Sequence, residues 1–353
     1  LTLLYVVGVA GAFLQISGGT WDVASHALGI PETFFTPSHL ILYTGVAAAG
    51  LAGLAGLTVR TTTNGADVGG RRLVAGLQVS LAGSVLQVVA GPADFWWHDT
   101  FGFDPFLLTP SHTLLIVGIV LVGLGMAMGS ARLLKAHAPR ESAILGRRSL
   151  EALVVVAFAV LWLDLNGLVY LLTDVNGIAY TFGLGAGFVT RFEPVAFAVA
   201  PVALALTGTL VLLAVRRVIR RRGAATAVAV LGAAIVVLGN VAFRAWYLRG
   251  TLEGAALAGF IPLYLAFLVP VALFDLSLGG PDGRFRILVA AALAAPFLSF
   301  LDGWHGTFLW TTGHALLPWF VVPMALAGAV AGLLSVRFAD ALLARAGPAA
   351  ASA

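Results

Sequence analysis

The sequence predicts an all-α protein, a polytopic transmembrane helical bundle of about ten spans with both termini cytoplasmic. Three observations predict it. Hydrophobic residues fill 60% of 353 positions and charged residues only 10%, and the mean hydropathy is +0.99, far outside the range of a soluble domain. Apolar runs long enough to cross about 30 Å of hydrocarbon recur along the chain. The connections between these runs alternate in charge.

The runs fall at 1–20, 36–59, 72–92, 108–131, 149–173, 192–216, 224–246, 257–277, 286–302 and 308–336. The opening stretch Leu1–Ser17 reads as the first span rather than a cleaved signal, because the alternation requires a helix there. One set of connections carries the basic residues: Arg60, Arg71 and Arg72, then Arg132, Lys135, Arg140, Arg147 and Arg148. It continues with Arg216, Arg217, Arg220, Arg221 and Arg222, with Arg284 and Arg286, and with Arg337 and Arg345 after the last run. Under the positive-inside rule these face the cytoplasm. The other set, near 21–35, 93–107, 174–191, 247–256 and 303–307, is aromatic and acidic and reads as the outer interface. Residues 1–150 then form a four-helix region, 151–346 a set of further membrane helices, and 347–353 a disordered tail. No soluble domain is expected.

Composition narrows the chemistry. The chain has no cysteine, which excludes disulfides, thiolate metal sites, iron–sulfur clusters and cysteine nucleophiles. Any metal must be held by imidazole and carboxylate. The sequence pI is near 9.8, but the basic residues sit in short runs between apolar segments, as cytoplasmic loops do, so nucleic acid is not an expected partner.

Three outer connections carry versions of one motif. The first reads Asp22-Val-Ala-Ser-His26, then Thr36-Pro-Ser-His39. The second reads Asp94-Phe-Trp-Trp-His98, then Thr109-Pro-Ser-His112. Asp and His four apart share one face of a helix end. In the following segment Thr36 or Thr109 is expected to cap a new helix, Pro37 or Pro110 to take its first position, and the histidine to fall in its first turn. Each motif can thus aim Asp, His and His at one point. The third version, Asp302-Gly-Trp-His305 followed by Thr311-Thr-Gly-His314, has a shorter spacing and no proline. Together the motifs use His26, His39, His98, His112, His305 and His314 of the seven histidines, leaving only His137.

A lone histidine near a membrane interface is usually structural. Repetition of spacing, capping sequence and membrane side argues for metal binding here, since aspartate and histidine are costly in membrane helices. Two imidazoles and a carboxylate suit copper, zinc or iron, and the ligand types do not choose among them. Asp99, Asp104 and Glu32 lie within the motifs as alternative ligands or bases. Asp164, Asn166, Asp174, Asn176, Arg191, Glu193, Asn240, Arg244, Arg249 and Glu253 lie near outer helix ends, as ligand-orienting or path-lining groups or equally as caps and interfacial pairs. Gln78 and Gln87 are expected to bond between helices.

The pattern Asp22-x3-His26-x12-His39, ending in Phe35-Thr36-Pro37-Ser38-His39, resembles the copper-binding motif in the C subunit of copper membrane monooxygenases, the group that includes particulate methane monooxygenase and ammonia monooxygenase. Asp94-x3-His98-x13-His112 resembles the second site of that subunit, which begins with asparagine rather than aspartate. The resemblance covers about 21–45 and 93–115 and the four helices around them. It implies a copper-dependent monooxygenase, or its metal-bearing subunit, oxidising a small apolar substrate of hydrocarbon or ammonia type with dioxygen. The metal motifs would lie on the outer side of a bacterial or archaeal cytoplasmic membrane. It also implies companion subunits, with a homo-oligomer as the other arrangement. The third motif has no counterpart in that subunit. A zinc-dependent membrane lipid hydrolase and a non-enzymatic metal or proton transporter are the alternatives. Transport would require titratable groups continuing toward the midplane, whereas the sequence clusters them at the outer end.

Overall fold

The computed structural model describes residues 1–31, 33–62, 68–102, 108–136, 145–277 and 318–343. Among these residues there is helix and no strand. The helices are α1 (Thr2–Ala27), α2 (Pro37–Thr62), α3 (Val68–Phe101), α4 (Pro110–Ala136), α5 (Arg147–Thr173), the short α6 (Val175–Thr181), α7 (Ala186–Ile219), α8 (Ala224–Val236), α9 (Ala242–Tyr247), α10 (Leu252–Ser277) and α11 (Pro318–Leu343). A π-helical segment, Val237–Val241, joins α8 to α9.

Among the described residues, 8 helices are long and apolar enough to cross a membrane, which makes this a helical membrane bundle. They correspond to the first seven runs read from the sequence and to the last. The expected eighth run falls within the 26-residue helix α10. The ninth, at 286–302, lies outside the described residues, as do Asp302, His305, His314, Glu32, Asp104, His137 and the tail at 347–353.

Two hairpins, α1–α2 and α3–α4, pack together, and α5 closes against α4 while α7 packs on α5 and α11. Glycine lets α3 and α4 meet backbone to backbone. A methyl group added at Gly83 would collide with the Gly118 carbonyl, and one at Gly125 with the Gly76 carbonyl. Helices in lipid associate through such close van der Waals contact, because apolar side chains gain little by leaving one hydrocarbon for another. Between the hairpins, Gln87 Nε2 donates to Gln15 Oε1 at 3.0 Å, and both glutamines are buried. Tyr5, wholly buried, donates its hydroxyl to the Leu73 carbonyl and fills the gap beside Gly129.

The end of the bundle away from the Asp/His motifs is tied by ion pairs. Glu151 accepts from Arg147 at 3.0 Å and from Arg221 at 2.6 Å, joining the start of α5 to the α7–α8 turn. That turn needs left-handed backbone at Arg220 (φ 57) and Gly223 (φ 87). Asp275 of α10 is 0% exposed, pairs with Arg216 at 3.3 Å, and accepts from the backbone N–H and hydroxyl of Thr226.

Two outcomes follow from this packing. Gly83→Leu forces α3 from α4 and should cost about 1–3 kcal/mol, read as a lower thermal midpoint in lipid. Arg216→Ala leaves Asp275 buried with only Thr226 as partner among the described residues, and should cost about 3–5 kcal/mol by the same measurement.

Candidate metal centre

Asp22 and His26 stand on the last turns of α1, and His39 on the first turn of α2. The second hairpin repeats the arrangement, with Asp94 and His98 on the last turns of α3 and His112 on the first turn of α4. Both α2 and α4 begin at the proline of their Thr-Pro-Ser-His segments, as the sequence predicts. At α4 the predicted cap forms, with the His112 N–H donating to Thr109 Oγ1 at 3.3 Å. At α2 the Thr36 hydroxyl instead donates to the Thr33 carbonyl at 3.0 Å, because the Thr33–Thr36 turn brings that acceptor under it.

Each hairpin gathers its ligands around one carboxylate. Asp22 Oδ1 lies 2.8 Å from His39 Nε2, and Asp22 Oδ2 lies 3.8 Å from His26 Nε2. Asp94 Oδ1 lies 3.1 Å from His112 Nε2, and Asp94 Oδ2 lies 3.5 Å from His98 Nε2. In each set the three donor atoms fall within 4.8 Å of one another, and every group is half-buried.

The serine of each Thr-Pro-Ser-His segment holds the carboxylate in place. Ser111 Oγ donates to Asp94 Oδ1 at 2.7 Å, and Ser38 Oγ to Asp22 Oδ1 at 3.3 Å. Both serines are 2% exposed. The sequence signal for this role is the constant place of the serine one residue before the histidine.

The tautomers fit a cation. A carbonyl oxygen can only accept, so the 2.7 Å contact of His39 Nδ1 with the Thr33 carbonyl puts a proton on Nδ1. His98 Nδ1 makes the same kind of contact with the Gly102 carbonyl at 3.4 Å. In neutral imidazole this leaves the Nε2 lone pair turned toward a carboxylate oxygen. Two acceptors face each other, and a proton or a metal ion between them satisfies both. An Nδ1–H bonded to a backbone carbonyl with Nε2 as ligand is also how metal-bound histidines are commonly oriented. The residues of each set could therefore hold a metal ion.

The two sets adjoin. The His26 ring centroid is 6.3 Å from that of His98 and 6.2 Å from that of His112, and His98 and His112 are 5.8 Å apart. The packing of the two hairpins thus brings the two motifs side by side. His39 stacks on Tyr43 at 5.8 Å, which backs its ring.

Other candidates sort by geometry. Asp174 caps α6 by accepting from the Gly177 N–H at 2.9 Å, and its other oxygen accepts from the Leu108 N–H at 3.1 Å. Thr181 Oγ1 donates to the Leu108 carbonyl at 2.5 Å. The α5–α6 corner thereby clamps the residue just before Thr109 and sets where His112 begins. Arg249 lies over the Trp246 ring at 4.7 Å, an interfacial pair. Asp99 is exposed on the last turn of α3 and belongs to neither set. Asp164, Asn166, Asp174, Asn176, Glu193 and Asn240 line a cavity of about 400 Å³ that also reaches Asp22, His26 and His112.

Compared with known proteins, the chain matches no family model, no curated protein and no solved structure. Its functional reading rests on its own residues.

The serine contacts are directly testable. Ser111→Ala and Ser38→Ala should each weaken metal binding by about 10–100-fold, the usual effect of removing a group that orients a ligand. Competition against a chromophoric chelator reads this. Unchanged affinity in both variants would show that the serines do not set the carboxylates.

Proposed function

We propose that the chain is a copper-dependent membrane monooxygenase, or the metal-bearing subunit of one. The reading is carried by the convergence of two Asp/His/His sets, with histidine ring centroids about 6 Å apart, beside a largely apolar cavity. Asp22, His26 and His39 would hold one copper ion, and Asp94, His98 and His112 the other. Bound copper would supply one-electron redox chemistry toward dioxygen. The chain's own residues fix the geometry: Ser38 and Ser111 orient the carboxylates, Thr33 and Gly102 hold the Nδ1 protons of His39 and His98, and the apolar walls exclude water from a hydrocarbon-like substrate. The motif resemblance to the copper membrane monooxygenases supports copper over zinc, and Asp94 in place of that family's asparagine adds a charge at the second set. Electrons would come from a membrane or outer-side donor, and companion subunits or further copies would complete the assembly.

Transport of metal or protons is the second reading, and Asp164 favours it, being buried on the cavity wall well below the clusters. Glu151 and Asp275, which would continue such a path, are instead held by arginines. A zinc hydrolase is the third reading; of its candidate bases, Asp99 is exposed, and Glu32 lies outside the described residues.

Metal analysis of protein purified in native lipid should find copper, and His39→Ala and His112→Ala should each lose part of it. Zinc without copper or iron would overturn the monooxygenase reading. Absence of all metals would overturn every metal reading. Dioxygen consumption dependent on ammonia or a short alkane, lost in both variants, is the expected activity.

A further inference from the structure

The cavity beside the clusters contains a group that metal binding does not use. At about 400 Å³ it has the size of a small-molecule site rather than a single-water void. One end is bounded by Asp22, His26 and His112. Asp164 stands far from that end: it packs against Gly123 of α4, roughly 16 Å of helix beyond His112 at the α-helical rise.

Asp164 is 2% exposed, and neither carboxylate oxygen has a hydrogen-bond partner among the described residues. A buried carboxyl group in a membrane bundle is costly unless paired, and such residues generally face a partner or a ligand path. The cavity surroundings specify what could pair with it. Asn166 and Asn240 share its wall, the latter within the π-helical segment, and no lysine or arginine among the described residues lines the cavity. Most of the remaining wall is aliphatic, including Ile16, Leu115 and Ile119. Asp22, Asp174 and Glu193 line the same cavity, so its polar wall is acidic, and an alcohol offers such a wall only one donor. A positively charged head with several N–H groups and a short apolar body matches both parts.

We propose that this cavity binds a primary alkylammonium ion, its ammonium head against Asp164 and its alkyl chain along Ile16, Leu115 and Ile119. The ammonium position at Asp164 lies away from the metal ligands Asp22, His26 and His112 that bound the other end of the cavity, and does not depend on which metal they hold.

The test uses the metal-free full chain in lipid nanodiscs, titrated with n-butylammonium and, separately, with n-butanol. A charge-assisted hydrogen bond predicts that the ammonium binds about tenfold tighter than the alcohol, or more. Asp164→Asn keeps the shape, and should abolish that preference while leaving n-butanol binding unchanged. If this variant does not fold, Gly123→Ala serves instead, because its methyl group would collide with Asp164 Oδ2 and displace the carboxylate. Equal affinity for the two probes, no binding of either, or a preference that survives displacement of Asp164 would each overturn the proposal. Because no metal is present, these outcomes are independent of the metal content that tests the monooxygenase reading.

Discussion

A carboxylate set among apolar helices must be surrounded by donors or cations, and Asp22 and Asp94 impose that demand where four helix ends meet. Each is answered by a serine from the partner helix and by two imidazoles. The demand cannot be met within one helix. Asp22 and His26 share α1, but Ser38 and His39 come from α2, so the hairpin must close before the charge is satisfied. The same holds for α3 and α4. Once both hairpins close, the glycine contacts of α3 and α4 and the Gln15–Gln87 bond hold the sets side by side.

The local parts of this arrangement were legible in the sequence because they follow from short-range rules. Hydropathy located the 8 helices that are long and apolar enough to cross a membrane, and Thr-Pro-Ser-His located the starts of α2 and α4. The i, i+4 spacing placed Asp and His on one face. What was not legible depends on how helices pack. The adjacency of His26 to His98 and His112 follows from hairpin-to-hairpin contact across more than 70 positions, for which no spacing rule exists. The clamp on Leu108 by Asp174 and Thr181 is of the same kind: Asp174 reads as a cap, which it is, but its second oxygen serves a different helix. Asp164 reads as one more polar residue near an outer helix end, and only packing shows it walled off beside a cavity.

Charge is divided between the two ends of the bundle by role as well as by sign. At the basic end, carboxylates are neutralised by arginine: Glu151 by Arg147 and Arg221, and Asp275 by Arg216. Arginine remains protonated throughout the working range and cannot serve as a ligand. At the other end Asp22 and Asp94 meet imidazole, which can give up its proton and offer a lone pair. The first pairing makes static braces, and the second leaves coordination chemistry open. Both satisfy the membrane's demand for compensation, but only one can exchange its counter-charge.

The π-helical segment Val237–Val241 gives the bundle a vernier. A single extra residue within a helix advances everything beyond it by about 100°. The stretch before the segment keeps Gly232 against Trp162 and Leu163 of α5, while Gly239 beyond its start sits on Thr20 of α1 and Asn240 turns to the cavity. One helix therefore serves two neighbours whose positions an unbroken α-helical stripe would not match. Its phase is set by residue count rather than by residue type. A one-residue deletion there would rotate Phe243 away from Trp21 of α1 without changing any side chain at the metal centre.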